Sequence, residues 1–119
     1  MREGLTEEQL GVLRAYDTPT ICNVIEVFAV RGRHEGYMDA RIRACFPEMG
    51  VLVGYAATAT YRAAAPTREG DVYSALDEQV ATFAQVASPP IVVFQDLDVP
   101  AVGASFGEVM CTTYMTFGA

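Results

Sequence analysis

The chain has 119 residues, a formal charge of −7 and no lysine; its eight basic residues are all arginine. That excludes Schiff-base chemistry, which needs a lysine amine, and a P-loop, which needs a lysine on the phosphates. It also argues against direct nucleic-acid binding, which needs a basic footprint. The densest arginines, Arg31, Arg33, Arg41 and Arg43, have Glu35 and Asp39 among them.

Half the residues are hydrophobic and under a fifth are charged, a globular composition. A single domain over residues 1–119 is expected, because a chain of this size can bury roughly two-thirds of its unfolded surface. Cys22, Cys45 and Cys111 are odd in number and lack C-x-x-C spacing, so they read as reduced thiols of a cytoplasmic protein. Cys22 and Cys111 fall in helical stretches, where a cysteine acts as a small core residue. No apolar run reaches the length of a membrane span, and no membrane partner is expected.

Thr6-Glu7-Glu8-Gln9 matches a capping box and opens a helix expected over about 7–16. Asp17 caps a second, with Pro19 in its first turn and Ile21, Val24, Ile25 and Phe28 at helical spacing to about Val30. Residues 31–38 read as a loop holding the sole histidine, His34, which reads as a solvated surface residue; one histidine makes no histidine-rich zinc site. A short strand is expected over 39–45, then a turn at Pro47 and Gly50.

In the stretch around "VGYAATATYR", Tyr55, Ala57, Ala59 and Tyr61 alternate with Ala56, Thr58, Thr60 and Arg62, the pattern of a half-buried strand. Asp71 can cap a helix carrying Val72, Leu76, Val80, Phe83 and Ala87 on one face, ended by Pro89 and Pro90. "IVVFQ" reads as a buried strand, 96–100 as a turn, 101–105 as a short strand and 106–117 as the last helix. This order gives an α/β or α+β class. A crossover unit would return to the sheet after the last helix, and no strand follows it in the sequence.

Two groups could carry chemistry. Asp96 and Asp98 lie just beyond a buried strand, where carboxylates can meet Mg²⁺ or a substrate; an ordinary acidic turn is the favoured reading. At Ser105-Phe106-Gly107-Glu108 a strand enters a helix through a glycine. The first helical turn has unpaired N–H groups and partial positive charge, suited to a carboxylate or phosphate. Ser105-x-x-Glu108 is also a capping box, which would use those donors internally.

"YDTPTICNVIE", "VGYAATATYR" and "ASFGEVMCTTYMTFGA", in this order, resemble the RraA-like family, from about Leu13 to Ala119. That family includes the 4-hydroxy-4-methyl-2-oxoglutarate aldolases and the regulator of ribonuclease E activity A. The resemblance implies a swivelling α/β/α domain assembled as homotrimers or hexamers, here incomplete at its C-terminus. It implies cleavage of 4-hydroxy-2-oxo acids to pyruvate by a metal-dependent lyase using Mg²⁺ or Mn²⁺, with oxaloacetate decarboxylation as a second activity. The alternative is a non-catalytic RraA-type regulator of RNA turnover, acting by protein contact.

By the same resemblance, backbone N–H groups of Gly107, Glu108, Val109 and Met110 hold the pyruvate carboxylate, with Met110 where leucine is usual. Glu108 positions the water for proton transfer and is the catalytic residue expected in this chain. The family's Arg-Asp pair, which supplies the oxyanion partner and the metal ligand, is expected about twenty residues further on. It would lie beyond Ala119, so the chain is expected to be an N-terminal portion of a longer protein and inactive in isolation.

Overall fold

The computed structural model describes residues 4–66 and 74–119. The cap expected at Asp71 lies outside them. Backbone contacts divide the described residues into two compact units, residues 5–53 and residues 54–119 with Gly4.

In the unit 5–53, α1 (Glu7–Arg14) opens on the expected box: Gln9 N–H donates to Thr6 Oγ1 at 3.2 Å and Thr6 N–H to Gln9 Oε1 at 2.9 Å. α1 buries Leu10, with 1% of its surface exposed. α2 (Thr18–Val27) begins at Asp17, whose Oδ1 accepts from Thr20 N–H at 2.9 Å. It ends three residues short of Val30, because Ala29 takes a left-handed φ of 51°. The strand expected over 39–45 does not form; Asp39 binds the Arg41 backbone and side chain, which closes a turn instead. Pro47–Met49 forms one 3₁₀ turn.

The unit 54–119 holds the sheet. β1 (Tyr55–Tyr61) pairs in parallel with β2 (Pro90–Asp96), registering Tyr55 with Pro90 and Tyr61 with Asp96. Parallel strands need a crossover, and α3 (Ser74–Phe83) lies between them in the chain. Gly54 admits β1 to this pairing: a Cβ there would strike the Pro89 carbonyl oxygen, the group that accepts Tyr55 N–H. α4 (Glu108–Thr116) follows a loop from β2.

One face of the sheet is covered. Ala57, Phe83 and Tyr114 form the buried cluster, with Leu76, Val80, Val92, Phe94 and Met110 packed against it. Phe83 meets Tyr114 edge to face at 5.5 Å, and Phe94 meets Phe106 at 5.1 Å. The alternation expected of β1 holds, with Ala56, Thr58 and Thr60 outward. β2 departs from the expected fully buried strand: Val93 and Gln95 are exposed, because no described element covers that face. The strand expected over 101–105 is absent; those residues run as loop, with Gly103 close against Ala63.

α4 ends on a glycine. Gly118 has φ 95°, its N–H donates to Met115 O, and Ala119 N–H donates to Tyr114 O. These two bonds are a Schellman motif, which only a residue at ease with positive φ completes without strain. Among the described residues no helix is long and apolar enough to cross a membrane.

Candidate functional site

In a parallel sheet, functional groups collect at the carboxyl ends of the strands. Here that edge carries a connected polar network. Tyr61 Oη donates to Asp96 Oδ2 at 2.9 Å and stands 3.3 Å from the Gly103 carbonyl oxygen. Asp98 N–H donates to Asp96 Oδ1 at 2.8 Å. Asp98 Oδ2 in turn accepts from Ala63 N–H at 2.6 Å and Ala64 N–H at 2.8 Å. Arg62 Nε lies 3.5 Å from Asp98 Oδ1, and the Asp98 side chain is 4% exposed.

This network ties the loop after β1 to the loop after β2. Its carboxylate oxygens are occupied by donors of the protein itself. The acidic turn is therefore structural, as its ordinary reading holds. The Tyr61 hydroxyl shows the same environment. A hydrogen bond from Ser105 pulls its pKa down, but the bond to Asp96, desolvation and the charges of Asp96 and Asp98 together hold it above the usual value.

The loop from β2 then delivers the chain to α4. Phe106 packs on Phe94, and Gly107 is the N-cap with extended backbone, φ −135° and ψ 172°. No side chain caps this helix. The Ser105-x-x-Glu108 box does not form, since the helix starts two residues later than that box requires and Ser105 lies by Tyr61. The first helical bond is Cys111 N–H to Gly107 O at 3.0 Å. The N–H groups of Glu108, Val109 and Met110 precede it and have no intrahelical acceptor. Gly107, Glu108 and Val109 are exposed, and a Cβ at Gly107 would meet nothing within 4 Å. The four residues singled out in the sequence thus form one open helix start.

Met110 also lines a cleft of about 410 Å³ within the same unit. Its walls come from β1, α3, β2 and α4, through Tyr61, Leu76, Gln79, Phe94 and Tyr114 among others. Tyr114 is buried, and desolvation raises its pKa above the ordinary value, with Cys111 adding to the shift. Gln79 is 7% exposed, and its amide nitrogen has no hydrogen-bond partner. Neither Gln79 nor Tyr61 stands out by motif. For Gln79 the available signal is a glutamine three residues from Leu76 and four from Phe83, on the helix's apolar face.

The other candidates lie elsewhere. His34, in the unit 5–53, has an 82% exposed side chain 3.7 Å from Glu35. Cys22 is half-buried, while Cys45 and Cys111 are exposed; all three are free thiols, and Cys111 is not the core residue its helical position suggested. It falls on the outer side of α4, one position from the residues that face the cluster. A wider hollow of about 820 Å³ in the unit 5–53 is lined by Asp17, Cys22, Tyr37 and Asp39 among others. Its acids are already engaged: hydrogen bonds from Thr20 lower the Asp17 pKa, and those from Arg41 lower that of Asp39 to about 2. Among the described residues no three His, Cys, Asp or Glu side chains group to hold a metal ion. Compared with models of protein families, with curated proteins and with solved structures, the chain matches none.

Proposed function

We propose that the chain carries the carboxylate-binding part of an oxo-acid site, in an RraA-like swivelling α/β/α domain that cleaves 4-hydroxy-2-oxo acids to pyruvate. The observation that supports this reading is the start of α4, where three N–H groups have no intrahelical acceptor and no side chain caps the helix. A carboxylate there accepts two or three of these donors and meets the positive end of the helix dipole. Gly107 leaves the approach open. In this reading Glu108, exposed in the first turn, holds a water for proton transfer next to the bound acid.

Mg²⁺ or Mn²⁺ belongs to the same proposal, but the described residues do not supply a ligand set for it. Asp96 and Asp98 are bound to Tyr61 and to backbone donors instead. What this chain contributes is the binding and orientation of the acid. Oxaloacetate decarboxylation draws on the same carboxylate grip. Assembly into cytoplasmic homotrimers or hexamers is part of this reading; exposed Val27, Phe28 and Val30 on the unit 5–53 and the free thiols are in keeping with it.

The test is an amide NMR titration with pyruvate. The N–H resonances of Glu108, Val109 and Met110 should shift on binding. Gly107→Pro should abolish those shifts, because proline forces φ from −135° toward about −65° and so re-aims the helix start that presents the three donors. Equal pyruvate affinity in the variant would end the reading of the turn as a carboxylate site.

A further inference from the structure

α1 and α2 start on side-chain caps, and α4 starts on none. The sequence offers α4 a cap, because Ser105 and Glu108 have the spacing of a capping box. To use it, the helix would begin at Phe106, with Gly107 in helical backbone. Glu108 N–H would then donate to the Ser105 hydroxyl oxygen, and Ser105 N–H to the Glu108 carboxylate. Val109 N–H and Met110 N–H would find the carbonyls of Ser105 and Phe106. All three donors of the open start would be used internally. Gly107 is extended instead, and as a glycine it reaches either backbone at little steric cost. The start of α4 thus has two forms open to it, one free and one capped.

The free form is held from the strands. Tyr61 Oη, at the end of β1, lies 3.3 Å from the Gly103 carbonyl oxygen, and Ser105 hydrogen-bonds to the same hydroxyl. The Tyr61 ring meets Phe94 of β2 at 6.1 Å, and Phe94 meets Phe106 at 5.1 Å. Gly103, Ser105 and Phe106 are therefore tied to the carboxyl ends of the strands. The Ser105 hydroxyl is engaged by Tyr61, away from Glu108 N–H.

We propose that Tyr61 is a positioning residue for the carboxylate site: by holding the loop before Gly107 to β1, it keeps Ser105 from capping α4 and leaves the N–H groups of Glu108, Val109 and Met110 to a ligand. The same restraint keeps the Glu108 carboxylate out of the box. The ligand rests on the carboxylate reading of the α4 turn; control of the helix start by Tyr61 does not.

The test compares the native 119-residue chain, Tyr61→Phe, Ser105→Ala and the double variant by amide NMR, with and without pyruvate. The phenylalanine keeps its ring on Phe94, so the fold is retained. Losing one hydrogen bond shifts the balance toward the capped start by about fivefold. In Tyr61→Phe without ligand, exchange at the amides of 108–110 should slow by about threefold, and pyruvate should bind about threefold more weakly. Ser105→Ala should bind like the native chain. The double variant should regain native affinity, since no serine is left to cap. If the three amides exchange as fast in Tyr61→Phe as in the native chain, the proposal is overturned. It is overturned equally if Ser105→Ala alone weakens binding or the double variant stays weak, because Tyr61 then anchors the loop without diverting Ser105. If exchange slows in Tyr61→Phe but pyruvate leaves the native amides unmoved, the carboxylate reading fails and the control by Tyr61 stands.

Discussion

Residues 5–53 and 54–119 are built on different physics. The first unit has good local signals, a reciprocal capping box on α1 and an aspartate cap on α2, yet Leu10 is its one buried side chain among the described residues. Val24, Val27, Phe28, Met38, Phe46 and Leu52 all stay exposed. The second unit has a parallel pair of strands, a buried cluster and three edge-to-face aromatic contacts. Caps and turns fix where elements begin; burial of apolar surface supplies most of the free energy that keeps them. Local stability should therefore be uneven, low over 5–53 and higher around Ala57, Phe83 and Tyr114.

The largest blow to that difference is Phe83→Ala. Phe83 is 8% exposed and meets Tyr114 across the cluster. Truncation removes a buried ring and leaves a cavity, a loss of about 3–5 kcal/mol. Hydrogen exchange should then lose its protection in β1, α3, β2 and α4. If α1 and α2 lose theirs in parallel, the two units unfold as one and the contrast is wrong.

A smaller test falls on the network at the carboxyl ends of the strands. Asp98→Ala removes the acceptor of the Ala63 and Ala64 N–H groups, together with the partner of Arg62. Those amides can turn to water, so the cost is that of charge-assisted bonds rather than of orphaned donors, about 2 kcal/mol. Asp98→Asn keeps an accepting oxygen and should cost less than half as much in a denaturant melt. Equal losses would show that charge, not backbone anchoring, is what Asp98 provides.

The sequence carried much of this arrangement and missed particular parts for physical reasons. Thr6 and Asp17 were legible because caps depend on a few neighbouring residues. β1 was legible from its alternation, and the helical stripe of α3 from Leu76, Val80 and Phe83. β2 read as buried on both faces because its apolar run does not say how many layers will cover it; one does. The strands expected over 39–45 and 101–105 have β-forming residues but no pairing partner among the described residues, and pairing is not a local property. At the site, Gly107 to Met110 came together as a helix start because four consecutive residues cannot be far apart. Gln79 and Tyr61 were not legible as site residues, since their meaning comes from Phe94 and Met110 in one case and Asp96 in the other.

The least effect, and the one that sharpens the contrast from its weak side, is at the end of α2. α4 ends on Gly118 at φ 95°, whereas α2 ends with Ala29 at φ 51°. An L-residue with a Cβ pays roughly 1–2 kcal/mol in the left-handed region. Ala29 N–H nevertheless donates to Glu26 O at 3.1 Å, so the turn has formed against that strain. Ala29→Gly relieves it but frees the unfolded chain, and the two effects leave a net gain of about 1 kcal/mol. Exchange in α2 should slow by about fivefold while β1 and α4 stay unchanged. A glycine that instead speeds exchange in α2 would mean that Ala29 leaves the left-handed region in solution. The helix would then run on toward Val30, as the apolar spacing of Ile21, Val24, Ile25 and Phe28 first suggests.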